Sequence, residues 1–193
     1  MLKKTLRTTA LTTLAALLSS AAMAAPVTFG IDDSHTFSRI SYDHMGFSTQ
    51  LNRFDKTSGT VVLDQEAKDG QVDIEIDTRS ISTGHDGFNQ HIQGADFLDT
   101  ANFPTATFKS TKINFDGDKP VSVDGDLTIK GVTKPVTLNI TRFVRKEHPM
   151  MKKDTIGADA EVVIKRSDFN AGKFAPGVGD EVTIGIALEA MAK

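Results

Sequence analysis

The 193-residue chain contains no cysteine. That absence excludes disulfides, thiolate metal sites, a cysteine nucleophile and a lipid-acylated N-terminus together. A chain without cross-links must be held by its core alone. Long apolar runs are also scarce. The stretch from Ala10 to Leu18 is interrupted by Thr12 and Thr13, and it falls well short of the roughly 20 residues a membrane span requires. Nothing after Ala24 resembles a stop-transfer segment, so no stable membrane insertion is expected. No G-x-S-x-G elbow and no H-E-x-x-H pair is present. The carboxylates are spread along the polar faces of strands, and the chain is not expected to be an enzyme.

Lys3, Lys4 and Arg7, the short apolar stretch and the small residues ending in Ala22-Met23-Ala24 have the organisation of an export signal. Cleavage after Ala24 is expected, leaving a single mature domain, 25–193. Removing 24 of 193 residues leaves 169, enough for one substantial core. The removal takes three of the 22 basic residues and none of the 25 acidic ones, giving a net charge of −6. An acidic domain is a poor partner for nucleic acid or anionic membrane surfaces. Its densest basic group, Arg142, Arg145, Lys146, Lys152 and Lys153, falls around an expected loop. The bacterial periplasm is the expected destination.

What is abundant is alternation, the period-2 signature of a half-buried strand. Val72, Ile74 and Ile76 alternate with Asp73, Glu75 and Asp77. Val121 and Val123, Leu127 and Ile129, and Val136, Leu138 and Ile140 do the same against polar partners. So do Val182, Ile184, Ile186 and Leu188. Short Asp- and Gly-rich junctions separate the runs, among them Lys68-Asp69-Gly70, Asp116-Gly117-Asp118 and Lys130-Gly131, as hairpins require. About eight or nine strands are expected, and their short connections force antiparallel neighbours. One stretch departs from this pattern. In Gly84–Leu98, Phe88, Ile92 and Ala95 share one face at helical spacing, so a short helical insert is expected there. An all-β chain of this kind closes as a sandwich or a barrel, and an eight-stranded barrel interior is either filled or holds one small ligand.

On the strand ending at His44, the positions Thr36, Ser38, Ile40, Tyr42 and His44 share one side. Turned inward, Tyr42 (the only tyrosine) and His44 are polar handles in an apolar tunnel; the alternative for His44 is a structural bond to a loop. His91, in the insert, either contacts a ligand at the barrel mouth or fixes the insert to the barrel. Phe97, Phe103 and Phe108 read as core or cavity lining. The histidines at 35, 44, 85, 91 and 148 show no H-x-H or H-x-x-x-H spacing, so no metal site is expected.

Four ordered blocks carry a resemblance. They are Asp33-Ser34-His35-Thr36-Phe37 with Tyr42-Asp43-His44-Met45-Gly46-Phe47-Ser48; Asp77-Thr78-Arg79-Ser80-Ile81 with His91–Asp99 and Phe103–Thr111; Val123–Val136; and Ile164–Phe169 with the closing strand Gly179–Ala190. Together they resemble the YceI-like family of bacterial periplasmic proteins over essentially the whole mature chain. Two departures are Asn89, where the family carries an acidic residue, and a lengthened loop at 146–154. The resemblance implies an elongated, lipocalin-like barrel. It implies no cofactor beyond an enclosed polyisoprenoid ligand, either a polyprenyl phosphate or an isoprenoid quinone. The ligand-binding set expected on this basis is Ile40, Tyr42 and His44; Phe88, His91, Ile92 and Phe97 of the insert; and Phe108, Leu127, Ile129, Leu138, Ile184 and Ile186 of the other strands. The competing expectation is a stress-response or structural protein with a filled barrel, or one binding fatty-acid-like lipids. A homodimer is compatible with either.

Overall fold

The computed structural model describes residues 25–193; the expected export signal, 1–24, lies outside the described residues. Eleven strand segments close into a ring of eight, because three of the strands are broken. β1 (Val27–Ile31) and β2 (Phe37–His44) lie end to end along β11 (Val178–Ala192), pairing Phe29 with Ala192 and Ile40 with Ile184. β3 (Ser48–Phe54) and β4 (Thr57–Asp64) return along β2 and β1. β5 (Asp69–Asp77) continues through a 3₁₀ turn, Thr78–Ser80, into the two-residue β6 (Ile81–Ser82). β7 (Thr105–Asp116), β8 (Lys119–Ile129), β9 (Val132–Glu147) and β10 (Asp154–Lys165) follow as long antiparallel strands. Pairing of β10 with β11, and of β11 with β1, closes the barrel. Closure removes the long free edges a sandwich keeps, leaving β3 paired on its outer side only at Arg53 and Phe54, with β6.

The alternating apolar residues point inward, with one correction. Val121 is 42% exposed, while Pro120 and Val123 are buried. The pairing of β7 with β8 shifts register at Asn114/Phe115, and the extra residue reverses the phase between Pro120 and Val123. The basic group near 146–154 also differs from expectation. β9 extends to Glu147, so Arg142 and Arg145 lie on a strand, and Arg145 bonds Asp154.

The two ends of the barrel differ. At one end Phe29, Leu63, Ile113, Val123, Ile156 and Ala190 are all buried and fill the axis. The other end, the mouth, carries the β2–β3 hairpin, the insert between β6 and β7, the turn at Lys130-Gly131 and the segment joining β10 to β11. The insert contains α1 (Asp86–Ile92), which is shorter than the expected 84–98. Phe88 and Ile92 share its inner face, but Ala95 lies beyond its end. The chain turns at Gly94, a poor helix former, and folds back so that the Leu98 N–H donates to the Ile92 carbonyl. His85 caps the helix, its ring nitrogen accepting from the Phe88 N–H. The Asn89 side-chain oxygen accepts from both the amide and the hydroxyl of Thr83, so this departure from the family pattern serves as a local tie. The lengthened loop at 146–154 belongs to the opposite end of the barrel.

Candidate functional site

A cavity of about 330 Å³ occupies the mouth half of the barrel. That volume is at the lower end of the roughly 300–1,000 Å³ typical of ligand sites. All thirteen residues expected to bind ligand line it. Ile40, Tyr42 and His44 come from β2. Phe108, Leu127, Ile129 and Leu138 form the far wall, and Ile184 and Ile186 the near one. Phe88, His91, Ile92 and Phe97 descend from the insert. Phe103, in contrast, lies outside the cavity, its ring against the turn at Gly131.

Sequence reasoning missed several lining residues. Ile74 and Ile76 alternate visibly, but nothing placed them in the open half rather than the filled one. Val162 and Ile164 likewise come from a strand whose depth only the register reveals. Met45 and Phe174 sit in turns and Phe169 ends the short 3₁₀ helix Arg166–Phe169, where no useful periodicity exists to read. Arg166 is the most consequential omission. Its half-buried guanidinium lines the cavity and donates to four main-chain carbonyls: Gly179 through Nε (2.8 Å), Lys173 (2.8 Å) and Ala171 through Nη1, and Val178 through Nη2 (2.9 Å). Burial lowers its pKa below the ordinary arginine value, but an arginine so placed stays charged. It fixes the whole connection from β10 to β11. The Ser167 amide and hydroxyl tie that connection again to Asp180, whose carboxylate they hold below its usual range.

The mouth is built from aromatic and methionine side chains. His91 packs between Phe97, at 4.8 Å, and Phe88, at 6.1 Å, and Phe97 in turn meets Phe174 at 6.1 Å. Among the described residues, the His91 ring contacts are aromatic and include no hydrogen bond to the barrel. Lys130 links the two covering segments by donating to the Ala95 carbonyl (2.6 Å) and the Asn170 carbonyl (2.8 Å). Met45 and Phe174 are bulky residues held at positive φ (56° and 66°), a region such side chains rarely adopt. Both line the cavity and both remain more than half exposed. Met45 and Gly46 are the central residues of the turn in the three-residue β2–β3 connection, closed by a 3.0 Å bond from the Phe47 N–H to the His44 carbonyl.

Polar groups in the cavity are few: Ser38, Tyr42 and His44 on β2, with Thr78, His91 and Arg166 elsewhere in the lining. The Tyr42 hydroxyl accepts from the buried Asn52 amide at 3.4 Å. Ser38 and His44 face inward on the same strand. The expectation of no metal-binding spacing needs one addition. Asp32 and His35 meet Glu189, distant in sequence, with their ligand-type atoms within 4.8 Å of one another. That cluster lies away from the cavity lining, and the Asp32 carboxylate is already occupied by Ser34 and His35. The cavity can therefore enclose an apolar chain and meet a polar atom on one wall.

These features define, over the described residues, a closed antiparallel barrel of the lipocalin-like type with an apolar cavity open at the mouth. The chain belongs to the YceI-like family: the model of the YceI-like domain matches residues 29–190. It is 37% identical over 181 residues to the protein YceI of Escherichia coli O6:H1, covering 92% of this chain and 93% of that one. Among solved structures it is similar to BcnA of Burkholderia cenocepacia, with a TM-score of 0.71, 30% identity, and coverage of 82% and 98% of the two chains. A polyisoprenoid binding domain from Saccharophagus degradans shares the fold at a TM-score of 0.64, with 18% identity over 86% of this chain and 99% of that one.

Proposed function

We propose that the protein binds a long-chain isoprenoid lipid, a polyprenyl phosphate or an isoprenoid quinone, and carries it through the periplasm after export by the segment 1–24. The observation that carries this reading is the apolar cavity, open at one end and lined by the thirteen expected residues. Burial of hydrocarbon contributes about 0.8 kcal/mol per CH₂. Each buried carbon therefore adds about fourfold to affinity, and a fully buried five-carbon prenyl unit up to about three orders of magnitude, without any specific polar contact. Tyr42, His44 and the Arg166 guanidinium give the mouth end a polar character suited to a head group. A soluble enclosure is what a water-insoluble chain needs in an aqueous compartment, and the reading involves binding, not turnover. The fold's occurrence in a polyisoprenoid binding domain supports it. The test is native mass spectrometry of the protein released from its own periplasm without detergent. A bound lipid mass, recovered by extraction as a prenyl compound, is the expected result. A bare polypeptide mass, with no rise in melting temperature on adding prenyl lipids, would refute the reading.

A further inference from the structure

Ser38 is 1% exposed, faces the cavity, and its hydroxyl has no hydrogen-bond partner among the described residues. Buried hydroxyls are rarely left in that state. The other polar groups nearby are committed. The Thr36 hydroxyl donates to the Glu189 carbonyl at 3.1 Å, and the Asn52 amide donates to Tyr42. Thr57 also has a free hydroxyl, but it is not part of the cavity lining. Across the strands Ser38 sits beside Phe54 and Ile186, and Ile40 is the next inward residue above it. Tyr42 lies four residues nearer the mouth, roughly 13 Å along the strand. Among the described residues Ser38 is thus an unspent donor well inside an apolar chamber, while the free proton of the Tyr42 hydroxyl lies nearer the mouth.

A water molecule does not resolve this, since a buried water needs two to four polar partners and the wall offers one. An ionised phosphate does not either. Among the described residues, Arg166 at the mouth is the one fixed cation in the lining, with four of its five N–H groups already donated to carbonyls. A charge at the depth of Ser38 has no counter-ion. We propose that Ser38 marks a polar subsite at mid-depth that takes a neutral oxygen, a carbonyl or hydroxyl, of the bound lipid. This rests on the lipid-binding reading above and divides its two head chemistries. It selects a neutral, quinone-type head seated inward and leaves an ionised head at the mouth. A lipid whose only oxygens are in its head must enter head-first to use the subsite.

The test compares the full-length processed protein with S38A and S38T by calorimetry. Three probes share one short prenyl tail: a prenylated benzoquinone, the same compound with its ring oxygens replaced by hydrogen, and the prenyl phosphate. S38A strands no buried partner, and S38T restores the hydroxyl. Expected is a quinone affinity about tenfold above that of the oxygen-free analogue in the wild type. That preference should be lost in S38A, regained in S38T, and accompanied by a shift of the bound quinone carbonyl infrared band to higher frequency in S38A. If S38A holds the quinone as tightly as the wild type, or the carbonyl band does not move, the subsite is wrong while lipid binding stands. A preference for the phosphate that depends on the Ser38 hydroxyl would also overturn it. Failure of all three probes to bind any variant would overturn the lipid-binding reading and the subsite with it.

Discussion

Replacing Arg166 with alanine should loosen the mouth without opening the barrel. The guanidinium donates to four carbonyls, at residues 171, 173, 178 and 179. Lys173 is exposed, so its carbonyl recovers a water when the arginine is removed; Ala171 is buried, and Val178 and Gly179 are partly so. Three bonds therefore go unreplaced or poorly replaced, at about 1–1.5 kcal/mol each, for an expected loss of roughly 3–4 kcal/mol in unfolding free energy. Lysine brings one compact ammonium in place of a planar fork, so R166K should recover less than half of that loss. Urea unfolding at constant m-value measures both changes. Hydrogen exchange locates them: amides in the connection from Phe169 to Asp180 should exchange faster in R166A, while those of β9 and β10 stay near wild type. A loss below about 1 kcal/mol in R166A, or equal stability of R166K and wild type, would refute the assignment of Arg166 as the tie that holds this segment.

Three further outcomes follow from the same contacts. Ala106 is buried and lines the cavity, so A106F should place a ring in the open volume; the change in stability should stay near 1 kcal/mol or less, while the lipid recovered on extraction falls sharply. An undiminished lipid load in a folded A106F would count against the cavity as the site. Gly59 has φ of +150°, and a Cβ there would sit 2.1 Å from the Asp73 carbonyl oxygen, so G59A should lose at least about 3 kcal/mol in the same urea assay. Stability should also fall at both pH extremes. Asp32 is held below the ordinary carboxylate value chiefly by the Ser34 hydroxyl, Asp77 by Arg79, Asp124 by Thr137 and Asn114, and Asp180 by Ser167. Their contribution is full above about pH 3.9, the unfolded value, and lost as pH drops through the lower folded values. His35 is raised by its bond to Asp32, so its contribution is full below about pH 6.5 and disappears as pH climbs through the raised folded value. Urea midpoints from pH 2 to 9 should show both arms, and H35Q should remove the alkaline one and shrink the acid one by the part of the Asp32 shift that His35 supplies.

The strands were legible wherever one face meets the core and the other meets water. β5, β9 and β11 announce themselves by Ile74 and Ile76, by Leu138 and Ile140, and by Val182, Ile184 and Ile186. β3 did not, because its pattern is inverted: Leu51 is 71% exposed and Asn52 is 4% exposed. An alternation rule reads that segment backwards, since the rule assumes apolar residues point in. Strand breaks were equally invisible. The chain between β1 and β2 bends where the Thr36 hydroxyl reaches the main chain at Glu189, a contact 153 residues away in sequence. Strand count was therefore near the mark, while the number of separate segments was not. In the site, inward-facing strand positions and the helix face were readable from period alone. Loop residues were not, because their direction depends on what ties them: Phe174 reaches the mouth through the Arg166 carbonyl contacts and a positive φ, neither of which leaves a periodic trace.

Whether the interior is filled or open was undecided by pattern and is decided by side-chain volume. At the closed end the inward positions carry Phe29, Leu63, Ile113 and Ile156, which meet across the axis. In the mouth half the inward positions include Ser38 and Ala106, two of the smallest residues, among Ile, Leu and Phe from the other strands. Branched aliphatics on one wall cannot reach small residues on the other, and a barrel of fixed strand number cannot contract to close the gap. The void is thus a consequence of residue size at defined depths. Its polar groups have a different origin. Asn52 is buried outside the cavity lining and donates to the Tyr42 hydroxyl at 3.4 Å, and His44 is only half-buried at the mouth, so neither bears the full cost of desolvation. Filling the small positions with larger apolar residues would extend the packed core toward the mouth and close over Tyr42 and His44, so the open volume and its polar wall would be lost together.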